Sequence, residues 1–242
     1  MSISLRAVGT YTNGTANLTP GIPAGAVTGD MMLCFYGTKP YSDAPTINQS
    51  WNNYGSATDG TVAAGVDVGS MQIRVFWKQH TGSETNPTVT NATNNVSGCV
   101  IIVFQNATNS WEIAGAGGGD NTAGTGFSVT ASSNPGITAG DMLVAYAALR
   151  SDAATQSAIG VTATSATIAA FTESPAADLV TTDGGDMAMS GGYAACTAGT
   201  ATAAPVYAST LAAAHTGSAY IMRLREAAAT FMKTQTLPMM GV

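Results

Sequence analysis

Charge is what this chain has least of. Only 9% of its 242 residues are Asp, Glu, Lys or Arg, against roughly a quarter in an average soluble domain. With 8 Lys plus Arg and a formal net charge of −6, there is no basic stripe to neutralise phosphates, so nucleic acid is excluded as an expected partner. The 14 acidic residues are scattered and suit solvation and turns rather than an acidic binding face. Cys34, Cys99 and Cys196 lie far apart with no C-x-x-C spacing, which argues against a disulfide framework and against a zinc site. Each sits in an apolar setting, where a thiol behaves as a small hydrophobe. No apolar run reaches the roughly 18 residues of a spanning helix, so no membrane partner is expected. The start, M-S-I-S-L-R-A-V, lacks the charged and apolar regions of a secretory signal, so the chain is expected to be made, and left or assembled, in a cytoplasm. The N-x-S/T sequons at Asn13, Asn17, Asn48, Asn91, Asn95 and Asn106 then reflect composition rather than glycosylation.

Signatures of catalysis are missing as well. Nucleophilic catalysis needs a nucleophile, a base and an orienting group within hydrogen-bond reach. The two histidines, His80 and His215, are each followed by Thr-Gly-Ser and suit turns; no G-x-S-x-G elbow is present. Asp30 and Asp141 recur in equivalent places, yet Gly-Asp before a strand is ordinary turn chemistry. Asp120, Asp183 and Asp186 lie in Gly-rich stretches without the D-x-D-x-D-G series of a calcium loop, and Gly115–Gly119 lacks the Lys-Ser/Thr of a phosphate loop. No catalytic residue, metal or cofactor is expected.

What remains is a sparsely charged, hydroxyl-rich chain built on short apolar runs. Thr28 to Tyr36, T-G-D-M-M-L-C-F-Y, and Ala139 to Ala147, A-G-D-M-L-V-A-Y-A, are Gly-Asp turns leading into runs of buried-strand length. Ser2–Val8 predicts an edge strand and Thr46–Ser56 an aromatic one. Met71–Lys78, M-Q-I-R-V-F-W-K, alternates like a half-exposed strand, and C-V-I-I-V-F at Cys99–Phe104 predicts a buried one. The second half repeats the plan. Gly140-Asp141 answers Gly29-Asp30 at an offset of 111, Met187 answers Met71 at 116, and Ser218 answers Ser97 at 121. The expected divisions are a first β half at 1–107, a flexible Gly/Ala-rich connection at 108–125, a second β half at 126–227 and an apolar C-terminal arm at 228–242. Interleaved Thr, Ser and Gly argue against helix in the Ala-rich stretches 153–170 and 198–214. The expected fold class is therefore all-β, a sandwich or jelly roll of two pseudo-repeated halves. Its core is expected to hold Leu33, Phe35, Ile73, Val75, Trp77, Val100, Ile102, Phe104, Met142, Val144, Tyr146, Tyr193, Tyr220 and Met222. Two sets of residues stand out as partner-binding candidates. The arm carries Phe231, Met232, Leu237, Met239, Met240 and Val242 with neither helical nor strand period, and Pro238 forbids a long helix; it suits docking on its own body or in a neighbouring subunit. Trp51, Tyr54 and Trp77 are the candidates for a sugar-stacking platform, with core packing as the plainer role.

One resemblance rests on Ala24-Gly25, Gly29-Asp30, Trp51, Arg74 to Lys78, Thr81 to Glu84 and Cys99 to Ala107, with the second Gly-Asp at Gly140-Asp141. In their order these resemble a group of tailed-phage and prophage proteins of the virion surface, described as minor tail, fibre or head proteins. The resemblance spans Pro23 to about Glu226. It implies a non-enzymatic β-sandwich virion protein, homo-oligomeric in the particle and contacting capsid or tail subunits. The chain has no coiled-coil heptads and no collagen-like repeat, which favours a compact head decoration protein over a long fibre; a tail-associated protein or a module binding host surface glycans is the alternative.

Overall fold

The computed structural model describes residues 3–39, 44–58, 71–91, 96–151, 155–175, 179–181 and 186–227. Among these the chain is all-β, without helix. The first half supplies β1 (Ser4–Val8), β2 (Thr12–Gly14), β3 (Met31–Lys39), β4 (Thr46–Ile47), β5 (Asn52–Thr58), β6 (Gln72–Gln79), β7 (Val89–Thr90) and β8 (Val96–Gln105). The second supplies β9 (Trp111–Thr130), β10 (Met142–Leu149), β11 (Gln156–Thr162), β12 (Ala166–Ile168), β13 (Thr172–Glu173), β14 (Leu179–Thr181), β15 (Met187–Gly199) and β16 (Val206–Glu226).

Each half builds one antiparallel sheet around its Gly-Asp strand. β3 lies between β8 and β6, with β1 and β2 beyond β8 and β5 beyond β6. β10 lies between β16 and β15, with β9 beyond β16 and β13 and β14 beyond β15. The strand order is thus the same in both sheets. Register fixes the correspondence residue by residue. Met31 faces Gln79 and Phe104, while Met142 faces Ala195 and Leu224, which gives offsets of 111, 116 and 120. The last corrects the expected 121: Ser97 pairs with Thr38 and its counterpart Gly217 pairs with Leu149. A slip of one residue would turn every side chain of a strand to the other face. Val100, Ile102 and Phe104 instead share one core with Tyr220, Met222 and Leu224.

The sheets meet through residues that are each other's counterparts. Phe35 stacks on Tyr146, ring centroids 4.4 Å apart; Gly37 lies against Ala148; Lys39 Nζ donates to the Arg150 carbonyl at 2.8 Å. In each pair the second residue follows the first by the same 111 positions. Contacts between equivalent residues arise where a two-fold axis passes, so the halves face one another about a pseudo-dyad running along β3 and β10. The inner core contains every residue expected there, with Trp77 and Tyr193 half-buried at its margin. Tyrosines link the sheets at their sides: Tyr54 Oη accepts from the Gly115 N–H at 2.7 Å, and Tyr11 Oη shares a hydrogen bond with Thr181 Oγ1 at 2.7 Å.

Both outer faces are covered too. Over the first sheet, Leu18, Trp51 and Val89 pack on Met32, Cys34, Tyr36 and Phe76. Over the second, the sheet curls on itself. β16 pairs with β10 through 217–224 and with β11 through 206–211, and β9 breaks register beside it. Asp120 holds that bend, accepting from the N–H groups of Thr122 and Ser128, each at 3.0 Å. The bend lays Phe127, Val129 and Tyr207 over Leu143, Ala145 and Ala147.

Three expectations are corrected here. Residues 111–130, expected to lie mostly in a flexible connection, form the long strand β9. Its glycines are there because the Tyr220 ring and Met222 lie across Gly115 and Gly117. Thr46–Ser56 is not one strand: Gln49 and Ser50 take positive φ, 59° and 57°, and split it into β4 and β5 in different sheets. The M-Q-I-R-V-F-W-K strand is not half-exposed, since Gln72 and Phe76 on its outer face are buried.

Candidate functional site

The two Gly-Asp turns are the same device built twice. The Asp30 N–H donates to the Val27 carbonyl and the Asp141 N–H to that of Thr138, both at 3.1 Å, while Gly29 and Gly140 take φ of +98° and +95°, the geometry of a type II turn. One carboxylate oxygen of each Asp accepts from the N–H at the turn's first residue, 2.9 Å at Val27 and 2.7 Å at Thr138. Each carboxylate also meets an arginine from a strand distant in sequence: Arg6 Nε lies 2.6 Å from Asp30, and Arg225 Nε 2.7 Å from Asp141. Both aspartates are buried, and their carboxylates join the turn to an arginine. These are ion-paired strand anchors. Gly29→Ala and Gly140→Ala separate the two costs of a side chain here. Positive φ alone costs roughly 1–2 kcal/mol; at Gly140 a Cβ meets open space, whereas at Gly29 it would lie 2.3 Å from the Asn109 side chain. Chemical denaturation is expected to find Gly29→Ala the more destabilising.

The first H-T-G-S leads into Glu84, which closes a turn. Its carboxylate accepts from the Thr81 N–H at 2.9 Å, the Thr81 hydroxyl at 2.6 Å and the Gly82 N–H at 3.1 Å, with Lys78 Nζ at 3.6 Å and His80 Nδ1 at 3.4 Å. A carboxylate, an imidazole and a hydroxyl are thus close together, yet they do not form a proton relay. The hydroxyl donates to the carboxylate, not to the imidazole, and His80 Nδ1 is occupied in accepting the Gly82 N–H at 3.0 Å. Burial works against the charge of Glu84, but the bonds from Thr81 outweigh it and hold the carboxyl down at about 2. A depressed value stabilises the fold above the ordinary glutamate range, and that contribution is lost as pH falls toward the folded value. Glu84→Gln is therefore expected to be less stable than wild type at neutral pH, with the gap closing toward pH 2 in a series of denaturation curves. His215 is corrected from turn to strand: it lies within β16 opposite Gly124, at the irregular stretch beside the β9 bend.

The three aromatic candidates do not converge. Trp51, 7% exposed, packs into the outer core of the first sheet. Tyr54 is the extra residue where β5 shifts register between Asn53 and Gly55, so it turns to the inner core and meets Tyr220 edge-on at 6.2 Å. Trp77 also borders the inner core. A shallow groove of about 430 Å³ does open on the outer face, bordered by Pro45, Ile47, Trp51, Asn53, Arg74 and Phe76. Nothing in the sequence pattern marks it: its border joins residues from either side of the break at Gln49–Ser50 to Arg74 and Phe76 of β6.

Among the described residues no group of three His, Cys, Asp or Glu is placed to hold a metal ion, and no helix is long and apolar enough to cross a membrane. Cys34, Cys99 and Cys196 are free and buried; burial, then the adjacent Cys34, push the Cys99 thiol well up. Phe231, Met232, Leu237, Met239, Met240 and Val242, together with Asp183, lie outside the described residues. No family model matches the chain, and neither a curated protein nor a solved structure does.

Proposed function

We propose that the protein is a non-enzymatic structural component of a tailed-phage particle: a decoration protein made in the host cytoplasm, carried in several copies on the head and attached through its C-terminal segment. The observation behind this reading is how few large apolar side chains the described residues expose. Among the described residues only Val27 and Val180 are exposed large hydrophobics, whereas residues 231–242 carry six large apolar side chains. Apart from the groove beside Trp51, the described residues leave little apolar surface to hold a partner, and a short apolar segment rich in methionine adapts well to an irregular groove. The resemblance of the strand and turn motifs to virion surface proteins supplies the setting.

Ending the chain at Ala227 tests the attachment. The truncated protein is expected to keep the far-UV circular dichroism of the folded sandwich and to lose most of its incorporation into particles assembled in infected cells; undiminished incorporation overturns the role of the segment. A second reading, a tail- or fibre-associated glycan-binding module, draws on the groove beside Trp51. It predicts glycan-array binding that Trp51→Ala abolishes. The burial of Trp51 leaves little ring face for a sugar, which favours the first reading.

A further inference from the structure

We propose that in the free protein the groove on the outer face of the first sheet is the seat of the chain's own C-terminal segment, residues 231–242, which is held there until assembly withdraws it. The inference rests on the attachment role just given to that segment.

Position comes first. Ala227 closes the described chain with its N–H on the Ser110 carbonyl, 3.1 Å away, next to Trp111 at the start of β9. Four residues along β9, roughly 13 Å at strand rise, Gly115 meets Tyr54 of β5 at 2.7 Å. Asn53, one residue before Tyr54, borders the groove. The exit of the chain and the rim of the groove therefore share one edge of the sandwich. Fifteen residues follow Ala227, enough to span up to about 50 Å extended, so reach does not limit the contact.

Chemistry comes second. The groove's borders join apolar Pro45, Ile47, Trp51 and Phe76 with polar Asn53 and Arg74, a wall suited to apolar side chains on a backbone that still needs hydrogen-bond partners. Its 430 Å³ has room for a few side chains of Phe, Met or Leu size. The tether then decides the source of the occupant. A segment tethered to its site within the same chain sees an effective concentration in the millimolar range when the tether is short, above that of a second copy in dilute solution. The apolar segment is thereby kept from water and from premature association. On a particle, where neighbours are packed closely, a partner competes for it.

Hydrogen exchange by mass spectrometry on the full-length protein tests this at two protein concentrations a hundredfold apart. Residues 231–242 are expected to exchange at least about tenfold more slowly than an unstructured peptide, equally at both concentrations. Asn53→Trp, which fills the groove from an exposed position, is expected to abolish that protection, with Thr46→Trp, at a second exposed residue of the groove's border, as the second variant if the first does not fold. Exchange at the unstructured rate overturns the proposal. So does protection that disappears on dilution, which assigns the segment to a second copy, or protection that both groove variants retain. The attachment reading fails separately, through undiminished incorporation of the chain ended at Ala227, and that result leaves the exchange prediction standing.

Discussion

Phe35→Ala is expected to cost about 3–5 kcal/mol of stability, the usual loss for a large aromatic side chain removed from a core that does not collapse. Phe35 is fully buried and stacks on Tyr146 at 4.4 Å and an interplanar angle of 25°, where the pseudo-dyad passes between the sheets. Tyr146→Ala is expected to cost a similar amount, since it removes the same ring pair and also the hydrogen bond from Tyr146 Oη to the Ser174 carbonyl. Because the two rings touch, the double variant should lose less than the two single losses combined, by about 0.5–1.5 kcal/mol for the aromatic pair. Urea denaturation of the four proteins measures this. Strict additivity would mean that the sheets do not meet through these rings and would remove the principal contact assigned to the dyad.

Gly191→Val is expected to cost more than about 3 kcal/mol, or to leave no folded protein. The repeat makes the substitution look harmless, because the counterpart of Gly191 in the first half is Val75, in the middle of β6. The structure shows why the halves differ here. Gly191 faces Tyr146 across the β10–β15 ladder, and a Cβ would lie 2.3 Å from the Ala145 carbonyl oxygen and 2.4 Å from Tyr146 Cγ. One obstacle is backbone and the other is the root of a packed ring, so neither yields as a flexible side-chain end would. Soluble yield and far-UV circular dichroism of Gly191→Val report the outcome. Wild-type behaviour would contradict the packing of Tyr146 described here. In the Tyr146→Ala background part of the loss should be recovered, because only the backbone clash remains.

Much of the fold was legible because it is written in local patterns. Gly29-Asp30 and Gly140-Asp141 announce their strands through turn chemistry, and the alternation of Met71, Ile73 and Val75 places them on one face. Two of the three repeat offsets follow from those motifs. The third differs by one residue from the spacing of Ser97 and Ser218, which look alike, because only register decides which face a residue occupies. β9 was illegible for a related reason. A run such as A-G-A-G-G-G has the composition of a linker, and its strand character comes from Tyr220 and Met222, more than a hundred positions away, lying over Gly115 and Gly117. The partners of the aspartates were hidden in the same way, since Arg6 and Arg225 come from strands that nothing in the neighbourhood of Asp30 or Asp141 foretells. The aromatic candidates were separated by a register shift at Tyr54 and by two residues with positive φ before Trp51. Such backbone irregularities leave only a faint trace in composition.

The role proposed for the chain turns on what surrounds it in an assembled particle. Cross-linking mass spectrometry on purified virions reads those neighbours directly. The account predicts several copies per head, with links from residues 231–242 to a capsid subunit and few from the covered faces of the sandwich. Particles that lack the protein, or links confined to tail subunits and made by the sandwich alone, would contradict it.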